Sequence, residues 1–86
     1  MSSEINHMLN EFLGVVIQIK LRNKSTIQGK LQDFDSGMNL ILTNSRDITE
    51  KDTKILDKIL LRSDNIIAVS LPDKINSFER KDDGSI

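Results

Sequence analysis

The chain contains no cysteine, which excludes a disulfide framework and a thiolate metal site as supports for its fold. It carries no excess charge of either sign. Twelve lysines and arginines stand against 13 aspartates and glutamates, so there is no general positive field to capture nucleic acid or an anionic membrane, and any contact with RNA must be local. No apolar run approaches the roughly 20 residues that span a bilayer. The N-terminus lacks the apolar core and small-residue cleavage pattern of a signal peptide. An intracellular, soluble protein is therefore expected. There is no Gly-rich phosphate loop. The acid pairs Asp33/Asp35 and Asp82/Asp83 have no histidine, serine or lysine placed to form a catalytic dyad. The single histidine, His7, has no carboxylate or cysteine partners that would make it a metal ligand. The expectation is a protein that is not an enzyme and takes no metal, cofactor or small-molecule substrate.

What the chain does have is a short, dense alternation of strand patterns. Its 86 residues allow one small domain, which buries only about 60% of its unfolded surface. Burial against another chain is the remaining source of stability. SSEINHMLNEFLG sets Ile5, Met8, Leu9, Phe12 and Leu13 at helical spacing, after Ser2 or Ser3 as N-cap and before Gly14 as a stop, and predicts a helix over about 3–13. His7 lies opposite that face.

From Val15 the period drops to two: Val15, Ile17, Ile19 and Leu21 alternate with Gln18, Lys20 and Arg22, the pattern of a half-buried strand. Asn23-Lys24 is a tight turn. A second strand follows in STIQGKLQDF, where Ile27, Gly29 and Leu31 share a face and the mid-strand glycine marks a bend or bulge. The third strand is MNLILT, with Met38, Leu40 and Leu42 on one face. NSRDITEKDTK then predicts an exposed loop. LDKILL and NIIAVSL give two more strands around the turn Arg62-Ser63-Asp64, and Pro72 ends the last. Residues 1–72 thus form the expected domain, and 73–86 a charged tail expected to lack structure, with Ile75 and Phe78 isolated in it.

A helix and five closely spaced antiparallel strands outline an all-β fold with one N-terminal helix: a strongly bent five-stranded sheet, or small open barrel. The last two strands, apolar on both faces and little protected by proline or lysine beyond Lys58, are expected to pair with neighbouring subunits. A sandwich core within one chain remains the other reading of the same pattern.

At these residues the chain resembles the Sm and Sm-like (LSm) family. Gly29-Lys30-Leu31, Phe34-Asp35 and Met38-Asn39-Leu40 match the first family motif in register. Leu61-Arg62-Ser63-Asp64-Asn65-Ile66 matches the second, with serine where the family usually has glycine. The resemblance spans residues 5–71. It implies the Sm fold and rings, typically of seven subunits, joined edge to edge through strands four and five; Leu60, Leu61, Ile66, Ile67 and Val69 are the expected interface. It also implies a central hole in which each subunit holds one base of a uridine-rich single strand of RNA. By resemblance, Asn39 hydrogen-bonds the base edge, Arg62 stacks on it, and Gly37, Met38 and Ser63 complete the RNA contact. Asp35 and Gly29 shape the loops.

Physical chemistry permits these roles without requiring them. An amide offers two donors and an acceptor to a pyrimidine edge, and a guanidinium is a flat cation that covers a base. Asn39 could equally cap its own turn, Met38 continue the core face, and Arg62 be a solvated charge. Gly37 has no side chain to stack where most relatives carry one, and Ser63 occupies a position at which glycine often supplies a positive φ. Two functions follow. One is a subunit of a heteromeric Sm or LSm ring that binds uridine-rich RNA in splicing or mRNA decay. The other is an Sm-fold protein-binding adaptor without RNA, as in an N-terminal acetyltransferase or decapping complex. A homomeric ring is a third arrangement.

Overall fold

The computed structural model describes residues 2–72. The expected tail, with Ile75 and Phe78, lies outside the described residues, as do the side chains of Ser2 and Ser3 that would cap the helix.

Helix α1 spans Ser2–Asn10, three residues short of the expected end. Beyond it the N–H groups of Glu11, Phe12 and Leu13 donate to carbonyls three residues back, the tighter turn that often closes a helix. Gly14 then adopts φ +84° with open space where a Cβ would stand, so its backbone freedom is the requirement at this position. Only Leu9 and Phe12 of the apolar face are buried. Ile5, Met8 and Leu13 are 41%, 51% and 40% exposed, which narrows the expected stripe to its centre.

The strands are β1 (Val16–Leu21), β2 (Thr26–Phe34), β3 (Leu40–Asp47), β4 (Lys54–Leu61) and β5 (Ile66–Ser70). They form one antiparallel sheet in the order β4-β3-β2-β1-β5. Alternation in β1 and β2 buries Ile17, Ile19, Ile27 and Leu31, and these meet Leu40 and Leu42 of β3 and Leu9 and Phe12 from the helix end. Each fully buried aliphatic side chain contributes about 1.5–3 kcal/mol.

Two expectations about β3 are corrected. The strand starts at Leu40, because Met38 sits in the left-handed region at φ 66° and closes the preceding turn. It also runs on through Asn44-Ser45-Arg46-Asp47, which the polar composition had assigned to a loop. There it pairs on both sides: Gln28 opposes Arg46 on β2, and Ile55 opposes Arg46 on β4. Ser45 is buried and donates its hydroxyl to the Asp57 carbonyl, so a polar sequence is held in the sheet by two ladders and one internal bond. The true loop is only residues 48–53.

Bends come where the register slips, at Gln28/Lys30 and Leu31/Asp33 of β2 and between Leu42 and Ser45 of β3. Gly29 lies in the first slip, as a mid-strand glycine predicts. Its role is close approach: a Cβ there would stand 2.8 Å from Ser45 Cβ and 3.1 Å from Ser45 Cα. The bent sheet leaves β4 and β5 as its two outer strands, and among the described residues neither has a partner on its outer side.

Candidate nucleic-acid interface

The β4–β5 turn meets two other connections, the β2–β3 loop through Asn39 and Ser63 and the β1–β2 turn through Arg22. The β2–β3 loop is organised by one carboxylate. Asp35 Oδ1 accepts the backbone N–H groups of Gly37 and Asn39, each at 2.9 Å, and Oδ2 accepts the Asn39 side-chain amide at 3.0 Å. The Met38 N–H donates to the Asp35 carbonyl at 2.9 Å. Such a short acid closing its own loop is the behaviour expected of Asp35. The Asn39 amide above all, and then the backbone N–H groups, hold its carboxyl below the usual carboxylate pKa, because each bond favours the charged form.

Asn39 also reaches out of its loop. Its Oδ1 accepts the Ser63 N–H at 2.8 Å, across 24 residues of sequence, and so ties the β2–β3 loop to the β4–β5 turn. An asparagine amide has two N–H donors and two carbonyl lone pairs. With one of each engaged, one of each remains. Structural cap and outward-facing donor–acceptor are thus compatible in the same side chain.

Ser63 begins a 3-10 turn over Ser63–Asn65. It is absent from the residues with positive φ, so serine meets no backbone strain in place of glycine. At the other departure from the motif, a Cβ on Gly37 would meet Asn39 Nδ2 and Asp35 Oδ1 at 3.5 Å, an ordinary contact.

The expected RNA residues are joined through this network but line different surfaces. Asn39 and Asp35 border a small hollow of about 90 Å³ with Phe34, Ile41 and Leu60. Arg62 borders a cleft of about 580 Å³ with Leu21, Arg22, Leu60 and Asn65. Leu60 is common to both. Gly37, Met38 and Ser63 face a groove of about 420 Å³ towards Leu9 and β5. Arg62 is exposed, with Asp64 Oδ1 3.8 Å from its Nε.

Sequence reasoning passed over Arg22, whose alternation marked it only as the solvent side of β1. Its Nε donates to the Asp64 carbonyl at 2.6 Å, and its backbone N–H to the Asn65 carbonyl at 2.9 Å. No local signal joins positions 42 residues apart.

Of the expected interface residues, Leu60 and Ile67 are 62% and 61% exposed. Leu61, Ile66 and Val69 are half-buried against the chain's own core. Among the described residues no three His, Cys, Asp or Glu side chains come together as a metal site, and no helix is long and apolar enough to cross a membrane.

The family model for the LSM domain matches residues 7–71 of the chain. The chain belongs to the Sm/LSm family. One Sm/LSm relative, the U6 snRNA-associated Sm-like protein LSm6 of Lodderomyces elongisporus, is 33% identical over 63 residues, covering 72% of this chain and 79% of that protein. Among solved Sm structures, the P. aerophilum SmAP1 heptamer superposes with a TM-score of 0.75 at 26% identity, over 80% of this chain and 95% of that one. Two further likenesses carry the fold alone. One is the Pyrococcus abyssii Sm protein in complex with a uridine heptamer, at 24% identity and TM-score 0.70 over 76% of this chain and 93% of that one. The other is a chain of the NatC complex bound to CoA, at 20% identity and TM-score 0.72 over 83% and 91%. The helix and five-stranded open sheet are thus the Sm fold, as the motifs implied.

Proposed function

We propose that this chain is one subunit of a heteromeric ring, of seven Sm-type subunits, that binds uridine-rich single-stranded RNA and serves pre-mRNA splicing or mRNA decay. Residues 1–72 are the ring-forming unit and 73–86 a tail outside it. Family membership and an RNA-associated relative support the class; the SmAP1 heptamer supports the ring. The observation that carries the reading is local. An amide with one donor and one acceptor still to give, on Asn39, and a guanidinium with little tie to the fold, on Arg62, border adjoining surfaces at Leu60. Uracil presents a carbonyl acceptor beside its N3–H donor, which such an amide complements. The preference for uridine itself rests on the family resemblance.

In the ring, the outer edge of β4 pairs with the outer edge of a neighbour's β5, because unpaired backbone groups at both ends of one sheet are satisfied by such addition. Leu60 and Ile67, exposed on β4 and β5, are side chains that such a contact would cover.

A second reading has specific support. Gly37 offers nothing to stack on a base, and a NatC chain shares the fold; a protein-binding adaptor fits both. One experiment separates the two. The tagged chain, and its Arg62→Ala variant, are purified under mild salt after ultraviolet crosslinking in cells of its own organism. The proposal expects sibling Sm-type proteins with both and crosslinked uridine-rich RNA with the unaltered chain only. Recovery of an acetyltransferase subunit without RNA, or equal crosslinking by the variant, overturns it.

A further inference from the structure

The cleft beside Arg62 has a chemistry that base reading does not use. Two guanidinium groups, Arg22 from the β1–β2 turn and Arg62 from the β4–β5 turn, line it together with the amides of Asn23 and Asn65 and the apolar Leu21, Leu60 and Leu61. No carboxylate lines the cleft. Asp64 pairs with Arg62 from outside it, Oδ1 lying 3.8 Å from Nε with both side chains 73% exposed, so the Arg62 charge is offset only in part. In a chain of net charge −1, this is a local concentration of positive charge rather than a share of a general field.

Arg22 is held in place. Its Nε donates to the Asp64 carbonyl and its main-chain N–H to the Asn65 carbonyl, so one turn grips both ends of a residue from the other. A free arginine carries about 2 kcal/mol of rotamer entropy that binding must remove; here part of it is already gone. The bond through Nε leaves the two Nη groups, whose N–H donors form the planar fork that engages phosphate oxygens two at a time.

Resting on the RNA reading above, we propose that Arg22 is a backbone-phosphate contact for the bound RNA: the base enters the Asn39 hollow on one side of Leu60 while the phosphate of the same or the next nucleotide lies in the Arg22–Arg62 cleft on the other. Leu60 lines both hollow and cleft, so the two sites adjoin. Sequence reading and sequence-independent anchoring are thereby divided between Asn39 and Arg22, the usual division between base and phosphate contacts.

The division gives the test. Binding of fluorescein-labelled oligouridylate and oligocytidylate to the purified, assembled full-length protein is measured across a salt series. A phosphate contact to a single strand contributes about 0.7 to the slope of log affinity against log salt, roughly 2.6-fold between 50 and 200 mM. Arg22→Gln should lower the slope by about that amount for each copy of the chain engaged and leave the ratio of uridine to cytidine affinity unchanged. Arg22→Lys, which keeps the charge but not the Nε bond, should retain the slope. An unchanged slope in Arg22→Gln overturns the phosphate contact, and so does an Arg22→Lys that behaves like Arg22→Gln, since Arg22 would then act only by holding the turn. A shift in base preference without a change of slope overturns it too. If the unaltered protein binds neither oligonucleotide and instead binds an acidic peptide in this cleft, the RNA reading fails together with the inference.

Discussion

Replacing Gly29 by alanine tests why the sheet bends where it does. The added methyl would stand 2.8 Å from Ser45 Cβ, 3.1 Å from Ser45 Cα and 3.2 Å from Leu42 Cβ. All three atoms lie on or next to the β3 main chain, so no side-chain rotation relieves the contact and the two strands must separate. Overpacking of this kind costs about 1–3 kcal/mol, and a contact with backbone belongs in the upper part of that range. Against it stands about 0.5–1 kcal/mol gained by restricting the unfolded chain. The net loss is about 1–2 kcal/mol, which for a domain of this size lowers Tm by roughly 4–16 °C. Thermal unfolding followed by circular dichroism, at fixed protein concentration because assembly stabilises the folded chain, measures it. In a Ser45→Gly background, where the closest atom is gone, the same substitution should cost less. A Gly29→Ala protein that melts at or above the parent's temperature refutes the close-approach argument.

Three further outcomes follow from the loops and edges. Asp35 titrates below its usual value of 3.8 when folded, chiefly through Asn39; its folded pKa is therefore depressed, and the stability it contributes is complete above about pH 4 and lost as pH falls through the lower folded value. Asp47, lowered chiefly by Thr49, acts with the same sign. Asp35→Asn should flatten the acid limb of Tm against pH, and a limb of unchanged steepness counts against the assigned bonds. Gly37→His should leave Tm within a few degrees, since a Cβ fits at 3.5 Å, and should tighten oligouridylate binding; a stacked base is worth about 1–3 kcal/mol, and no gain would place position 37 away from the base. Leu60→Asp or Ile67→Asp, each at a site more than 60% exposed, should leave the chain folded but reduce its assembled mass in light scattering, whereas an unaltered mass removes those side chains from the subunit contact.

The parts legible in the sequence are those whose physics is local. In β1 and β2 one face is buried and the other wet, so alternation announces both strands and their inward residues. Gly29 announces a bend. The extension of β3 is different: Asn44-Ser45-Arg46-Asp47 looks like loop because only pairing on two sides, and burial of one serine hydroxyl, makes it strand. The helix face is misjudged in width for a related reason, since spacing shows which side is apolar but not how much sheet lies beneath it. At the candidate site, Asn39 and Arg62 were visible as residue types in motifs. The bond from Asn39 to Ser63, the ordinary backbone of Ser63 and the anchoring of Arg22 to the β4–β5 turn were not, because each depends on segments 24 or 42 residues apart meeting.

The tie made by Asn39 has a consequence for how such chains diverge. A subunit that ceased to read bases would still need an amide at this position to keep two loops together, so the asparagine would survive the loss of its ligand like a beam left standing after the room it framed has changed use. An amide at position 39 is thus a mark of the architecture. The history of binding is written instead at positions such as 37 and 62, where a side chain can come or go without loosening the frame.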